Sequence, residues 1–474
     1  MSITPVARFL AYALFAVAAA TLAPALLCLF SGSGDAAGYL FAGGVALFLG
    51  GAAWGVSPAR DDQARRRAPS KGGLRELLLA LLLLWGGVPF VAALPFVQQG
   101  WLPQDAWFEA VSGLTTTGGW LSAPTARATL PGALYRATLQ GIGGVVSLCT
   151  AAAIFVRPEF IGVAPIVPPF ARGESGTYLR AFRAAFRVFA PVFAALSLAA
   201  AAGFAVLGVP VGEAVVMGLS LSSTGGFVPK AGGIAAYPAA VQVFACLVMA
   251  LGAVNFIVVA GVASGKGRRM RGGETRETAT FVILCPLIAL LFWTSLGAGD
   301  WSRLPSQLFN AVSVLSTNGI LIGEAPGLTP VLVTAVIGGA AVSTAGGIKL
   351  LRWLITFRRA GAELWRLTHP GGVLADKGSV NEFGVWIHTI AFTILLAVFV
   401  LITGFFGNSL EVSAAAAVAV VANAGPLVDL APRTTADYVL FDPGLRPLFG
   451  VGMIAGRLEL VVLLVALNRR FWQS

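Results

Sequence analysis

Long apolar runs recur from one end of the chain to the other, and ten of them reach the roughly 20 residues a helix needs to cross about 30 Å of hydrocarbon. They cover about 7–30, 36–56, 74–97, 132–156, 183–208, 236–263, 278–297, 328–357, 384–405 and 441–468. Four shorter apolar segments lie after the third, fifth, seventh and ninth runs. A length of ~10–14 residues suits a re-entrant helix rather than a full crossing. The pattern predicts an all-α polytopic membrane protein.

Each short segment ends in a small polar cluster: Thr115-Thr116-Thr117-Gly118, Ser223-Thr224-Gly225-Gly226, Ser316-Thr317-Asn318-Gly319 and Ala422-Asn423-Ala424-Gly425. Taking Gly118, Gly226, Gly319 and Gly425 as equivalent gives spacings of 108, 93 and 106 residues, the scale of two helices and a loop. The chain therefore divides into an N-terminal two-helix segment, 1–57, and four units of helix, pore loop and helix at 74–156, 178–263, 278–357 and 384–470. A site that strips water from a small cation needs several inward backbone carbonyls, and glycine permits the angles and close approach this requires. Short helices ending at such loops turn their negative dipole ends toward a central ion pore. One cluster alone reads equally well as an ordinary helix end. Four in the same setting point to a selectivity filter. In the second cluster Gly225 and Gly226 compete, and aligning Phe227 with Ile320 selects Gly226.

Composition agrees: 57% of residues are hydrophobic, 11% are charged, and mean hydropathy is +0.83, outside the range of soluble domains. The net charge of +11 does not indicate nucleic acid. With both termini cytosolic, 25 of the 32 Lys and Arg fall on inner segments, the asymmetry that sets membrane topology. Runs such as Arg65-Arg66-Arg67 and Arg268-Arg269-Met270-Arg271 read first as topology signals and second as docking sites. The first apolar run lacks a small-residue cleavage site and reads as a retained helix. Cys28, Cys149, Cys246 and Cys285 sit in apolar runs without metal-ligand spacing, and His369 and His388 are solitary. No constellation of acids or histidines at membrane depth suggests an enzyme, so a small cation is the expected transported ligand and no covalently bound cofactor is expected.

Two further features interrupt the apolar pattern. The eighth run is longer than a straight crossing needs, and Gly338-Gly339 with Ser343-Thr344-Ala345-Gly346-Gly347 would unwind it where freed carbonyls face a cavity. A long tilted helix with small packing residues is the alternative. Arg457 is a charge within an apolar run, where it costs at least about 2.5–3.5 kcal/mol and so faces a cavity or a partner on another helix. Glu459, two residues on, points to a different side.

Several strings in this order resemble the Trk/Ktr/HKT superfamily of potassium transporters, and within it the bacterial Trk-type membrane subunit. They are Val111-Ser112-Gly113-Leu114-Thr115-Thr116-Thr117-Gly118, Leu139-Gln140-Gly141-Ile142-Gly143-Gly144, Ser223-Thr224-Gly225-Gly226-Phe227, Gly252-Ala253-Val254-Asn255-Phe256, Ser343-Thr344-Ala345-Gly346-Gly347-Ile348-Lys349, Asn423-Ala424-Gly425-Pro426 and Gly456-Arg457-Leu458-Glu459. The likeness covers nearly the whole chain, and the two extra N-terminal helices match the Trk type rather than the shorter Ktr type. It implies a pore within each monomer, K+ at the filter, and an intramembrane gating loop that includes Lys349 and faces Arg457. It also implies a homodimer in the cytoplasmic (inner) membrane, carrying a cytosolic, TrkA-like nucleotide-binding regulatory ring beneath it. The inner segment 349–382, with Arg358, Arg359 and Arg366, is the largest candidate to receive that ring. Gly119-Trp120 and Asn318-Gly319-Ile320 depart from the family pattern. They leave open a less selective K+/Na+ transporter of the KtrB/HKT kind. The potassium-binding subunit of an ATP-driven pump shares the four-loop plan, but Gly346-Gly347-Ile348-Lys349 favours Trk.

Overall fold

A computed structural model describes residues 3–32, 35–56, 73–121, 129–155, 178–230, 232–265, 273–297, 299–369, 383–430, 438–458 and 460–473. These residues form helices and connecting loops, with no β-strand among them. Six helices are long and apolar enough to cross a membrane, or seven if one bent pair counts as a span, which makes this a multi-pass membrane protein. Large side chains such as Phe30, Leu198, Leu401 and Phe405 stand on the outer surface, as lipid contact requires and water would penalise. Arg65 to Arg67, Arg268 to Arg271 and Glu459 lie outside the described residues.

The described helices enclose two large apolar clusters and a small third one around Trp120 and Phe227. Ile3–Ser31 and Ala36–Gly55 pack as an antiparallel pair and, with Gly73–Ala92, Leu130–Phe155 and part of Tyr178–Val206, enclose one apolar cluster. The second cluster gathers around the short helices of the later units and their flanking spans. The four units stand around the region where all four polar clusters are buried.

Three of the apolar runs are not continuous helices. The run at 236–263 breaks into Ala239–Ala253 and Phe256–Ala263, which meet at 105°. Asn255 explains the break, because its extended backbone lets its side-chain oxygen accept the Ile257 N–H at 3.1 Å and start a new helix. The run at 441–468 divides at the extended Leu458 into Leu445–Arg457 and Leu460–Leu467. The run at 328–357 is a helix only over Leu328–Ile337, then non-helical over 338–349, as its glycines suggest. A helix then resumes and continues to Thr368, so Arg358, Arg359 and Arg366 lie on a helix rather than in a loop. Glu363 sustains that last stretch by pairing with Arg359 at 2.6 Å and Arg366 at 2.9 Å, one turn away on either side.

Candidate functional site

Four helices of 12 residues each, Pro103–Leu114, Val211–Ser222, Leu304–Leu315 and Leu410–Val421, end at the four clusters. Their starts follow from local sequence: proline in the first turn of the first and third, Pro210 before the second, and the Ser409 hydroxyl accepting the Val412 N–H before the fourth. Their ends are alike as well. The N–H groups of Thr117, Gly225, Asn318 and Ala424 reach back to the carbonyls of Ser112, Ser220, Ser313 and Ala419 at 2.8–3.0 Å, a helix-terminating bond that requires the residue before each to be left-handed.

Those preceding residues are Thr116, Thr224, Thr317 and Asn423, with φ of 52°, 56°, 61° and 53°. Left-handed backbone at a β-branched residue costs on the order of 1–3 kcal/mol and persists only where the surroundings impose it. Two residues on, Gly118, Gly226 and Gly319 are again at positive φ, while Gly425 opens a 3-10 turn. The spacing from Thr224 places Gly226, not Gly225, in register with Gly118 and Gly319. Ser112, Ser220 and Ser313 repeat one further role: their hydroxyls bond to Gly119 O, Phe227 N and Ile320 N at 2.6–2.9 Å, and Ala419 leaves the fourth loop without this tie.

The loops touch in cyclic order. A Cβ placed on Gly118 would lie 1.6 Å from the Gly225 carbonyl oxygen, and one on Gly226 would lie 1.9 Å from the Asn318 oxygen. The Gly226 N–H also donates to the Asn318 side-chain oxygen at 3.2 Å. Gly319 faces Ala424 and Leu427 of the fourth loop. Gly425 N–H closes the circle on Thr117 O at 2.7 Å, and the Asn423 side-chain amide joins Thr117 Oγ1 at 2.9 Å. Gln140 supports the second loop from its flanking helix by donating to Gly225 O at 3.3 Å. Just past the first loop's glycines Trp120 is buried edge-on against Phe227, their rings 5.8 Å apart, so the unusual indole spans the first and second loops.

Within this ring the carbonyl oxygens of Thr116, Thr224, Thr317 and Asn423 accept no hydrogen bond among the described residues, although all four residues are fully buried. A buried acceptor left unmade costs about 1–3 kcal/mol. Four such acceptors recur at the same position of the four loops, a donor set suited chemically to a dehydrated monovalent cation.

The segment 338–349 folds directly against the ring. Its ends are tied together by Ile348 N to Val336 O at 3.0 Å, Lys349 N to Ile337 O at 3.1 Å and Leu350 N to Gly339 O at 2.9 Å. Thr317 Oγ1 accepts the Gly346 N–H at 2.8 Å, and the Thr344 hydroxyl reaches Ser222 O at 3.2 Å and Gly252 O at 2.9 Å. A Cβ on Gly346 would lie 1.9 Å from Ala422 O. Arg457 joins ring and segment: Nε donates to Thr115 O at 2.7 Å, and Nη1 donates to Thr344 O at 2.8 Å and to Ala345 O at 3.3 Å. Lys349 is left-handed at φ 81° and its ammonium donates to Ala345 O. The structure thus brings Gly338, Gly339, Ser343 to Gly347, Lys349 and Arg457 together, beside a cavity of about 40 Å³ lined by Ser147, Thr150, Arg352 and His388 among others.

Sequence reasoning assigned no role to Gln140, Asn255 or Glu277. The signals were an amide in a glycine-rich helix, an Asn inside an apolar run, and the second of two acids at the start of a span. Among the described residues no group of three or more His, Cys, Asp or Glu converges, and the four cysteines are unpaired.

The fold and the ring define a class: a multi-pass helical membrane protein whose single chain closes four quasi-equivalent re-entrant loops around one axis. No family model matches the chain. It is homologous over nearly its whole length to proteins named Trk system potassium uptake protein TrkH. It is 27% identical to the one from Salmonella typhimurium over 91% of both chains, and 26% identical to the one from Halomonas elongata over the full length of both. The crystal structure of the potassium transporter TrkH from Vibrio parahaemolyticus shares its fold, with a TM-score of 0.83, 24% identity and complete coverage of both chains.

Proposed function

We propose that the chain carries potassium into the cell across the cytoplasmic membrane, with both termini on the cytosolic side. The observation that carries this reading is the ring of four buried, unpartnered carbonyls at Thr116, Thr224, Thr317 and Asn423. Carbonyls fixed in this way replace an ion's hydration shell, and the neighbouring Ser, Thr, Asn and Gly residues of each cluster hold them in place. The homologues' name supplies potassium as the cation. An inside-negative potential contributes about 2.3 kcal/mol per charge per 100 mV, so accumulation needs no chemical step in this chain.

The segment 338–349 is the gate. It lies against all four loops, directly or through Arg457, and the guanidinium opposes a cation in the same path. The working assembly is a homodimer in lipid with a nucleotide-binding regulatory ring on its cytosolic face, and the basic helix Leu350–Thr368 is a surface suited to such a partner. One observation favours relaxed K+/Na+ selectivity as a second reading: the Asn318 side chain bonds the loop backbone itself at Gly226 N, whereas the Asn423 amide reaches the Thr117 side chain across the fourth and first loops.

The test is uptake of labelled Rb+ into proteoliposomes holding this protein alone, with K+ or Na+ competing outside. Competition by K+ alone supports a selective filter, and equal competition supports the relaxed one. Absence of flux even after the 343–347 segment is shortened would refute a conducting path in this chain.

A further inference from the structure

Glu277 is fully buried in the first turns of helix Gly273–Ser295, far in sequence from everything it touches. One carboxylate oxygen accepts the N–H of Ala341 at 2.5 Å and the N–H of Leu351 at 3.1 Å. The other accepts the side-chain amide of Asn255 at 2.9 Å. Ala341 lies near the start of the 338–349 segment and Leu351 just past its end, so one oxygen holds both feet of the loop. Asn255 stands at the 105° break between Ala239–Ala253 and Phe256–Ala263. That break is itself bonded to the loop through Ala340 N to Ala253 O at 2.9 Å and Phe256 N to Val342 O at 2.7 Å.

We infer that Glu277 is a latch: its carboxylate pins both ends of the intramembrane loop and sets how readily the loop leaves the ion path. This inference rests on the reading of 338–349 as a gate. A buried carboxyl group that accepts three N–H donors leaves them orphaned when it is removed, and two of these bonds are made to the moving element. Neither N–H has a second acceptor among the described residues, so removing the oxygen orphans both at once. The loop's attachments to the filter, through Thr317, Thr344 and Arg457, are made at its tip. The latch and the filter therefore hold opposite ends of one element, and loosening the feet releases the loop while leaving the ring's carbonyls where they are.

The experiment is labelled Rb+ flux through the purified full chain in liposomes, comparing the wild type, Glu277→Met, Glu277→Gln and a form shortened within 343–347. Methionine fills a similar volume without an acceptor and should raise basal flux several-fold, with K+/Na+ competition unchanged. Glutamine keeps one oxygen for both N–H groups and should return flux most of the way to the wild-type level. A role in packing alone would leave the methionine variant's flux at the wild-type level. That outcome, with the shortened form showing raised flux, overturns the latch and leaves the gate standing; no rise in the shortened form overturns the gate itself. Should Glu277→Met not purify as a monodisperse species, Asn255→Ser, which keeps a capping oxygen for the Ile257 N–H and removes the third donor, should give a smaller rise in flux. Unchanged flux there, or loss of monodispersity in both variants, overturns the latch in favour of a structural role.

Discussion

The Thr317 hydroxyl oxygen receives the backbone N–H of Gly346 at 2.8 Å, so a residue whose own carbonyl is unpartnered among the described residues also holds the tip of the proposed gate. The proposed filter and the proposed gate meet at this one residue. Replacing Thr317 with valine keeps the shape and removes the acceptor. The orphaned N–H destabilises the closed arrangement by about 1–3 kcal/mol, so basal Rb+ flux should rise on the order of tenfold. Flux at the wild-type level in Thr317→Val would show that the bond does not restrain the segment.

Gly226→Ser should weaken discrimination more than it weakens folding. The position is at φ 64°, and a Cβ there would meet the Asn318 oxygen at 1.9 Å, so the second and third loops must move apart. Competition by Na+ against labelled Rb+ should increase while the yield of monodisperse protein changes little. Unchanged discrimination would remove Gly226 from the filter.

Arg457→Gln and a shortened 343–347 segment should give different phenotypes, although both open the path. Shortening the loop leaves the Arg457 bond to Thr115 O in place, so flux rises with selectivity kept. Glutamine at 457 cannot hold Thr115, Thr344 and Ala345 together, so flux should rise and Na+ competition should grow with it. Rb+ flux at graded Na+ separates the two.

The ion pair between Arg136 and Glu109, 2.7 Å apart and almost wholly buried, should be a stability determinant rather than a transport determinant. Glu109 also accepts the Leu121 N–H at 2.8 Å, and Arg136 lies over the Phe96 ring at 5.1 Å. Arg136→Ala strands a buried carboxylate, which costs about 3–5 kcal/mol. A clear fall in thermal midpoint in detergent is the expected result, partly reversed by adding Glu109→Gln.

The loops were legible because their chemistry is local. A helix that must stop, a left-handed residue and a glycine two positions later leave a repeated signature within a few residues, and the spacing from Thr224 to Thr317 to Asn423 places Gly226 in register. The interruption at Gly338 was legible for the same reason. The 105° break was not, because Val254 and the apolar residues after Asn255 continue the hydropathy of a single span, and one Asn is a weak sign against it. Glu277 was illegible because its partners Ala341 and Leu351 lie 64 and 74 residues away and offer backbone groups, which every residue has. The helix reaching Thr368 was hidden by its arginines, which read as an inner loop until Glu363 is seen to pair with them.

Because Gly425 closes back on Thr117 within one polypeptide, the proposed ion path needs no second copy to exist. Dilution that separates neighbouring copies leaves each circle intact, so flux per chain should not depend on protein density in the bilayer. When active chains are blended with chains blocked in the ring, flux should fall in simple proportion to the active fraction. A pore assembled from four separate subunits would instead lose flux with the fourth power of that fraction.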